Sequence, residues 1–242
     1  MAPSSPRLLL VSNSTLHGQG YLDHVAEEIS GFLAGARRAV FAPYALFDRE
    51  RYARSARERF LRMGFELESL HEASDPAASV RRAEAIFVGG GNTFRLLDAL
   101  ARGALLDPIR EAVAAGVPYV GSSAGAIVAG PTLQTTKDMP IVAPPSFRAL
   151  GLVEFQLSPH YLDPDPASTH MGETQEERIL QFHEENSAPV VGLREGAFLR
   201  VERGSVVLGG VAGARLFRRG RPAVEARPVR ALDAWLASGE LA

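Results

Sequence analysis

Short apolar runs alternate with amphipathic segments through the first half of the chain. The stretch "RLLLVSNS" (7–14) sets four aliphatic residues before polar ones, the pattern of a buried strand that ends at a surface. "YLDHVAEEISGFLAG" (21–35) then carries Leu22, Val25, Ile29 and Leu33 at helical spacing. "RRAVFAPYA" predicts a second strand, followed by the charged helix "DRERYARSARERFLRMG", which stops at Gly64. "FELESL", "AIFVGG" and "PYVGSS" predict three more strands, and the helical stretches "TFRLLDALARG" and "PIREAVAAG" lie between the last two. Strands that alternate with helices predict βαβ units, hence an α/β fold with a mostly parallel sheet flanked by helices.

The second half reads differently. "VEFQLSPH" and "VVGLRE" predict strands on either side of the helix "TQEERILQFHEEN". "AFLRVERGSVVLGG" and "ARLFRRGRPAVEA" alternate apolar and polar positions around glycine turns, which predicts antiparallel hairpins. "VRALDAWLAS" closes the chain as a helix. There is no break in composition and no internal repeat, so a single domain over 1–242 is expected. The basic run "RRGRP" at 218–222 reads as a hairpin tip facing water.

Composition narrows the chemistry. The chain has 242 residues, 46% apolar and 22% charged, with a net charge of −2. That balance gives no electrostatic reason to expect nucleic acid or a membrane surface as partner. The absence of cysteine excludes disulfides, thiolate zinc sites, iron–sulfur clusters and a cysteine nucleophile. The N-terminal "LLLV" is too short for a signal-peptide core and no stretch approaches a membrane span, so a cytoplasmic location is expected. Lys137 is the sole lysine among many arginines; codon bias is the plain reading, and a functional ammonium the sharper one.

Two glycine-rich turns carry candidate chemistry. In "YVGSSAGAIVAG" (119–130), Gly121-Ser122-Ser123-Ala124-Gly125 matches G-x-S-x-G with Ser123 at its centre, between an apolar strand and a small-residue helix start. Such a turn raises the serine hydroxyl above the sheet's carboxyl edge and brings the Ala124 N–H near it as an oxyanion donor. The plain alternative is a Gly/Ser helix cap. "FVGGGNTF" (87–94) also leaves a strand and opens a helix. It is neither a phosphate-binding loop nor a dinucleotide fingerprint, because no Gly-Lys-Ser/Thr follows and Phe94 stands at the third glycine position. It reads either as a turn capped by Asn92 or Thr93, or as the source of a second oxyanion N–H from Gly90 or Gly91.

A nucleophilic serine needs a base. Of the six histidines, His24 and His183 fall on helices rich in acidic residues and are expected to face solvent, while His17, His71 and His170 fall in polar loops. His160 ends a strand-like run directly after Pro159, which places it at a strand exit. Two carboxylates could orient its ring: Asp138 in "TTKDMP" and Glu195 in "VVGLREG".

At these residues the sequence closely resembles peptidase E, the aspartyl dipeptidases of serine peptidase family S51. "GGGNTFRLL", "GSSAGAIVAGPTLQTTKDMPIV", "PPSF", "LSPHYLD", "GET" and "VVGLREG" follow the family's order and spacing from about residue 85 to 210. The resemblance implies a fold like the class I glutamine amidotransferase domain, with serine at the elbow. It implies hydrolysis of dipeptides with an N-terminal aspartate, without a metal or other cofactor. Carried over by motif, Ser123 is the nucleophile and His160 the base, with Asp138 or Glu195 as the acid. The N–H groups of Ala124 and the glycine turn, Gly91 favoured over Gly90, would hold the oxyanion. For substrate contacts, the family carries arginine directly after "GET", where this chain has Gln175. Arg178, Lys137 or Arg95 could supply the missing cation, and Glu173 or Asp138 could meet the substrate's ammonium. Family resemblance allows a homodimer with the site near the interface. The alternatives are a cyanophycinase-like or broader-specificity S51 peptidase, a catalytically silent amidotransferase-like binding protein, and an α/β-hydrolase esterase, which the short Ser-to-His interval disfavours.

Overall fold

The computed structural model of the protein describes residues 5–169 and 171–240. His170 lies outside the described residues. The first strand, β1 (Leu8–Val11), is buried at every position. Leu8 and Leu10 pack into one apolar cluster and Leu9 and Val11 into another, so its two faces serve two cores. A strand buried on both faces reads as a continuous apolar run, which is why "LLLV" shows no alternation.

In chain order there follow α1 (Ala26–Phe32), β2 (Arg38–Ala42), α2 (Arg49–Arg62), β3 (Glu66–Ser69), α3 (Pro76–Arg81), β4 (Ile86–Val88), α4 (Thr93–Arg102), α5 (Leu106–Ala114), β5 (Tyr119–Ser122) and α6 (Ala124–Ile127). The second half contains β6 (Gln156–Ser158), α7 (Gln175–Glu185), β7 (Val190–Leu193), β8 (Ala197–Glu202), β9 (Ser205–Gly210), β10 (Ala214–Phe217), β11 (Val224–Ala226), β12 (Arg230–Ala231) and α8 (Asp233–Ser238).

The strands form two sheets, ordered β12-β9-β8-β1-β5-β4-β2-β3 and β11-β10-β7-β6. The first is parallel from β1 through β3, with Leu8 opposite Tyr119 and Ile86 opposite Tyr119 on the other side. Beyond β1, β8 pairs antiparallel with β1 and β9 antiparallel with β8. In the second sheet β6 and β7 run parallel, joined by α7, and β10 and β11 run antiparallel. The two expected hairpins therefore diverge: β8–β9 extends the large sheet, and β10–β11 completes the small one. The chain crosses between sheets in the turn from β7 to β8, residues 194–196.

Helices cover both faces of the large sheet. Ile29 and Phe32 of α1 and Tyr52 and Phe60 of α2 share a core with Leu9, whereas Leu96 and Leu100 of α4 and Ile109 of α5 share one with Leu8. Two helix starts are capped by a preceding aspartate, Asp48 for α2 and Asp75 for α3. His24 and His183, expected in solvent, are shielded instead. His183 is buried, with Nε2 3.0 Å from the Ala188 carbonyl, and burial lowers the pKa of both rings. Their acidic neighbours project outward while the imidazoles occupy inward positions of the same turns.

Candidate active site

The carboxyl ends of β1, β4 and β5 lie side by side, where open parallel sheets gather ligand sites. β5 ends at Ser122, and the next residue turns sharply. Ser123 has φ 52° and ψ −108°, a conformation that costs a non-glycine residue about 1–3 kcal/mol. Surrounding bonds hold it there. Its N–H donates to the Val11 carbonyl at 2.9 Å, and its carbonyl accepts the N–H groups of Ala126 and Ile127. The flanking glycines make the turn possible. A Cβ on Gly121 would come within 2.5 Å of the Gly125 carbonyl oxygen, and one on Gly125 within 2.1 Å of the Val88 oxygen.

The partner of Ser123 arrives from the small sheet. His160 follows β6 and also has positive φ, 52°. Its N–H donates to Ser12 Oγ at 2.9 Å, and Ser12 Oγ donates to the Leu193 carbonyl, so the ends of β1 and β7 fix the histidine's backbone. Its ring then bridges two side chains. Nε2 lies 2.9 Å from Ser123 Oγ, and Nδ1 lies 2.7 Å from Glu195 Oε1. Glu195 occupies the crossing turn between the sheets, where the Gly196 N–H donates to Asn13 Oδ1 at 2.8 Å and Arg194 pairs with Asp163 and Glu225. An imidazole bonded to a carboxylate at Nδ1 presents Nε2 as acceptor to the hydroxyl, the arrangement in which a serine can lose its proton as it attacks.

Asp138, the other expected acid, is committed elsewhere. Its Oδ2 accepts the Thr93 N–H at 2.7 Å, the Thr93 hydroxyl at 2.6 Å and the Thr136 hydroxyl at 3.1 Å. This seats the carboxylate at the start of α4, where the helix dipole favours negative charge. Asp138 lines the same cavity as Ser123 and His160, a cleft of about 800 Å³ whose wall includes Gly90, Gly91, Tyr21, Tyr52 and Arg51.

The glycine turn meets the elbow directly. Gly90 packs so close that an added Cβ would sit 3.1 Å from the Ser123 Cβ, and its amide faces the Tyr52 hydroxyl. Gly91 has φ +133°, open to glycine, and an added Cβ would meet the Ala45 oxygen at 2.7 Å. Ala124 begins α6 and so has no helical acceptor for its N–H.

The comparisons with known proteins point the same way. The model of peptidase family S51 matches residues 8–209. The chain belongs to peptidase family S51. A relative named peptidase E from Streptomyces coelicolor is 56% identical over 88% of each chain. A relative from Drosophila melanogaster, named probable alpha-aspartyl dipeptidase, is 48% identical over 89% of this chain and 91% of its own. The crystal structure of a peptidase from an acI-B1 actinobacterium superposes with TM-score 0.71 at 19% identity, covering 95% of this chain and 97% of that one, and so shares the fold.

Within this S51 frame Asp138 lines the cleft, whereas Lys137, Glu173, Gln175 and Arg178 are not among its lining residues. Lys137 Nζ donates to the Pro159 carbonyl at 2.7 Å, the His160 carbonyl at 3.0 Å and Gln175 Oε1 at 3.2 Å. Lys137 is exposed as a residue, yet its ammonium lies against backbone carbonyls, and desolvation there pulls its pKa down to about 8. Gln175 Nε2 donates to the same His160 carbonyl, and Arg178 pairs with Glu173 at 3.6 Å. Lys137, Gln175 and Arg178 line a separate pocket of about 50 Å³. Arg95 stacks over the Phe47 ring at 5.8 Å. The cleft wall from Leu46 to Ser55 carries no motif and was not expected from the sequence; the Asp48 cap three residues before Arg51 was its one local signal.

Proposed function

We propose that the protein is a serine dipeptidase that hydrolyses dipeptides with an N-terminal aspartate through an acyl-enzyme on Ser123. The observation that carries the reading is the hydrogen-bonded series Ser123–His160–Glu195 at the wall of a cleft. The substrate class is supported by the relatives named peptidase E and probable alpha-aspartyl dipeptidase.

In the first step the Ser123 oxygen attacks the carbonyl carbon of the N-terminal residue while its proton passes to His160 Nε2. Glu195 balances the positive charge that the ring then carries. The N–H groups of Ala124 and Gly91 receive the negative charge on the former carbonyl oxygen; one such donor typically contributes about 10²–10³ to turnover. His160 next gives its proton to the departing amine, the C–N bond breaks, and an aspartyl ester on Ser123 remains. A water then loses a proton to His160, attacks the ester, and the proton returns to Ser123 as aspartate leaves. Among the described residues the hydrogen bonds to the Asp138 carboxylate all fall on Oδ2, and Oδ1 receives the substrate's α-ammonium. No step requires a metal. The cytoplasmic location expected from the sequence and the homodimer that the resemblance allows stay part of the proposal, and light scattering reads the second.

A panel of Asp-Leu, Glu-Leu, Asn-Leu and Ala-Leu tests the substrate class. The expected result is cleavage of Asp-Leu at least about tenfold faster than the others, a carboxylate contact contributing about 1.5–3 kcal/mol. Equal rates across the four would sink it.

A further inference from the structure

An enzyme that selects an N-terminal aspartate must meet a β-carboxylate with a cation, and arginine's planar fork fits a carboxylate best. The cations near the "GET" motif do not serve. Arg178 is paired with Glu173, Lys137 is held by three oxygens behind His160, and both line the smaller pocket. Arg95 is not among the cleft's lining residues; its guanidinium is stacked on the ring of Phe47, which is.

The cleft itself contains one different cation among its described lining residues, Arg51. Its backbone N–H is bound by Asp48 Oδ1 at 2.9 Å, which fixes where the side chain leaves the helix. Its guanidinium makes no hydrogen bond or ion pair with a described residue. It also sits in the first turn of α2, a helix of 14 residues, where the dipole disfavours a positive charge. A cation so placed gains nothing from its own helix. Asp48 already caps the helix start, so a ligand carboxylate would be held by the exposed Arg51 fork itself. The wall behind it is firm: Tyr52, the next residue, is buried, stacks edge-on against Phe41 at 5.0 Å and meets the Tyr21 hydroxyl at 3.4 Å.

We propose that Arg51 is the specificity-determining residue of this protein, binding the side-chain carboxylate of the substrate's N-terminal aspartate in place of an arginine after "GET". The inference rests on the function proposed above. In the cleft the substrate's ammonium meets Asp138, its carbonyl meets Ser123 and its β-carboxylate meets Arg51, a three-point contact that fixes which bond faces the nucleophile.

The test uses the full-length protein and its Arg51→Gln and Arg51→Lys variants, with thermal melts to confirm folding. The kcat/KM is measured on Asp-Leu, Asn-Leu and Asp-Leu amide. Arg51→Gln should lose roughly 10–100-fold on Asp-Leu and equally on Asp-Leu amide, change Asn-Leu by less than about twofold, and be partly rescued in Arg51→Lys. A loss on Asp-Leu that disappears with the amide would overturn the assignment, since Arg51 would then hold the dipeptide's C-terminal carboxylate. Equal losses on Asp-Leu and Asn-Leu would overturn it as well, as would no loss. Failure of the underlying function looks different: the unmodified protein would itself fail to prefer Asp-Leu over Asn-Leu, and the anchor would fall with it.

Discussion

Two recesses adjoin His160. The larger, about 800 Å³, holds Ser123, the His160 ring, Asp138 and Arg51. The smaller, about 50 Å³, holds Lys137, Gln175 and Arg178, two of which bond the His160 carbonyl. Each is furnished with positive charge, yet the charge is used differently. In the small recess it is consumed by protein acceptors and fixes a backbone that already has positive φ. In the large one the Arg51 guanidinium has no protein partner and remains available to a ligand. Proximity to His160 therefore does not by itself make a residue a substrate contact; what decides is the face of the backbone from which it approaches.

The largest effect belongs to the cleft. Ser123→Ala should fold normally and lose at least about 10⁴-fold in kcat, read on Asp-Leu, because the groups of a triad act as a unit. Comparing the carboxylates sharpens the contrast within that cleft. Glu195→Gln should lower kcat by about 10²–10⁴, since an amide no longer stabilises a charged imidazole. Asp138→Asn should instead raise KM about tenfold, since an ammonium contact is weakened while the Thr93 bonds persist in part. The reverse order of effects on kcat would move the acid to Asp138.

The small recess should respond more weakly. Lys137→Met is expected to lower kcat about 3–10-fold with KM unchanged and with partial rescue by Lys137→Arg, as a positioning residue would. It also carries a pH signature. Burial lowers the Lys137 pKa from 10.5 to about 8, so between those values the unfolded chain holds this proton and the folded chain has released it. The contribution of this group to stability therefore rises with pH across that window. Urea midpoints of the wild type and Lys137→Met at pH 7.5 and pH 10 should show the wild type gaining relative to the variant. A shift of the opposite sign would contradict the lowered Lys137 pKa.

The contrast also marks what could be read from residues alone. The elbow was legible because glycine and alanine around Ser123 answer a local steric demand, and the strand before it, buried at every position, opens on Tyr119 and Val120. His160 was legible from its place behind Pro159 at a strand exit. The acid was not, because Asp138 and Glu195 both sit near glycine or proline in suitable motifs; only the crossing turn between sheets brings Glu195 to the ring. That crossing was itself invisible. The alternation in β8 and β9 resembles that around β10 and β11, and long-range pairing alone sends them to different sheets. Arg51 was hidden in an arginine-rich helix whose charges look alike in sequence, since direction depends on which face Tyr52 and Phe60 bury. His183 was misplaced for the same reason: its neighbours are acidic, but its own position faces inward.

The central claim is that Ser123 is the atom that becomes acylated. Reacting the protein with an aspartyl diphenyl phosphonate and mapping the mass increase by peptide sequencing tests this directly. One adduct on the peptide containing Ser123, slowed in the Glu195→Gln variant and absent after Ser123→Ala, is the predicted result. Stoichiometric labelling at another residue, with hydrolysis of Asp-Leu unimpaired in the Ser123→Ala protein, would contradict it.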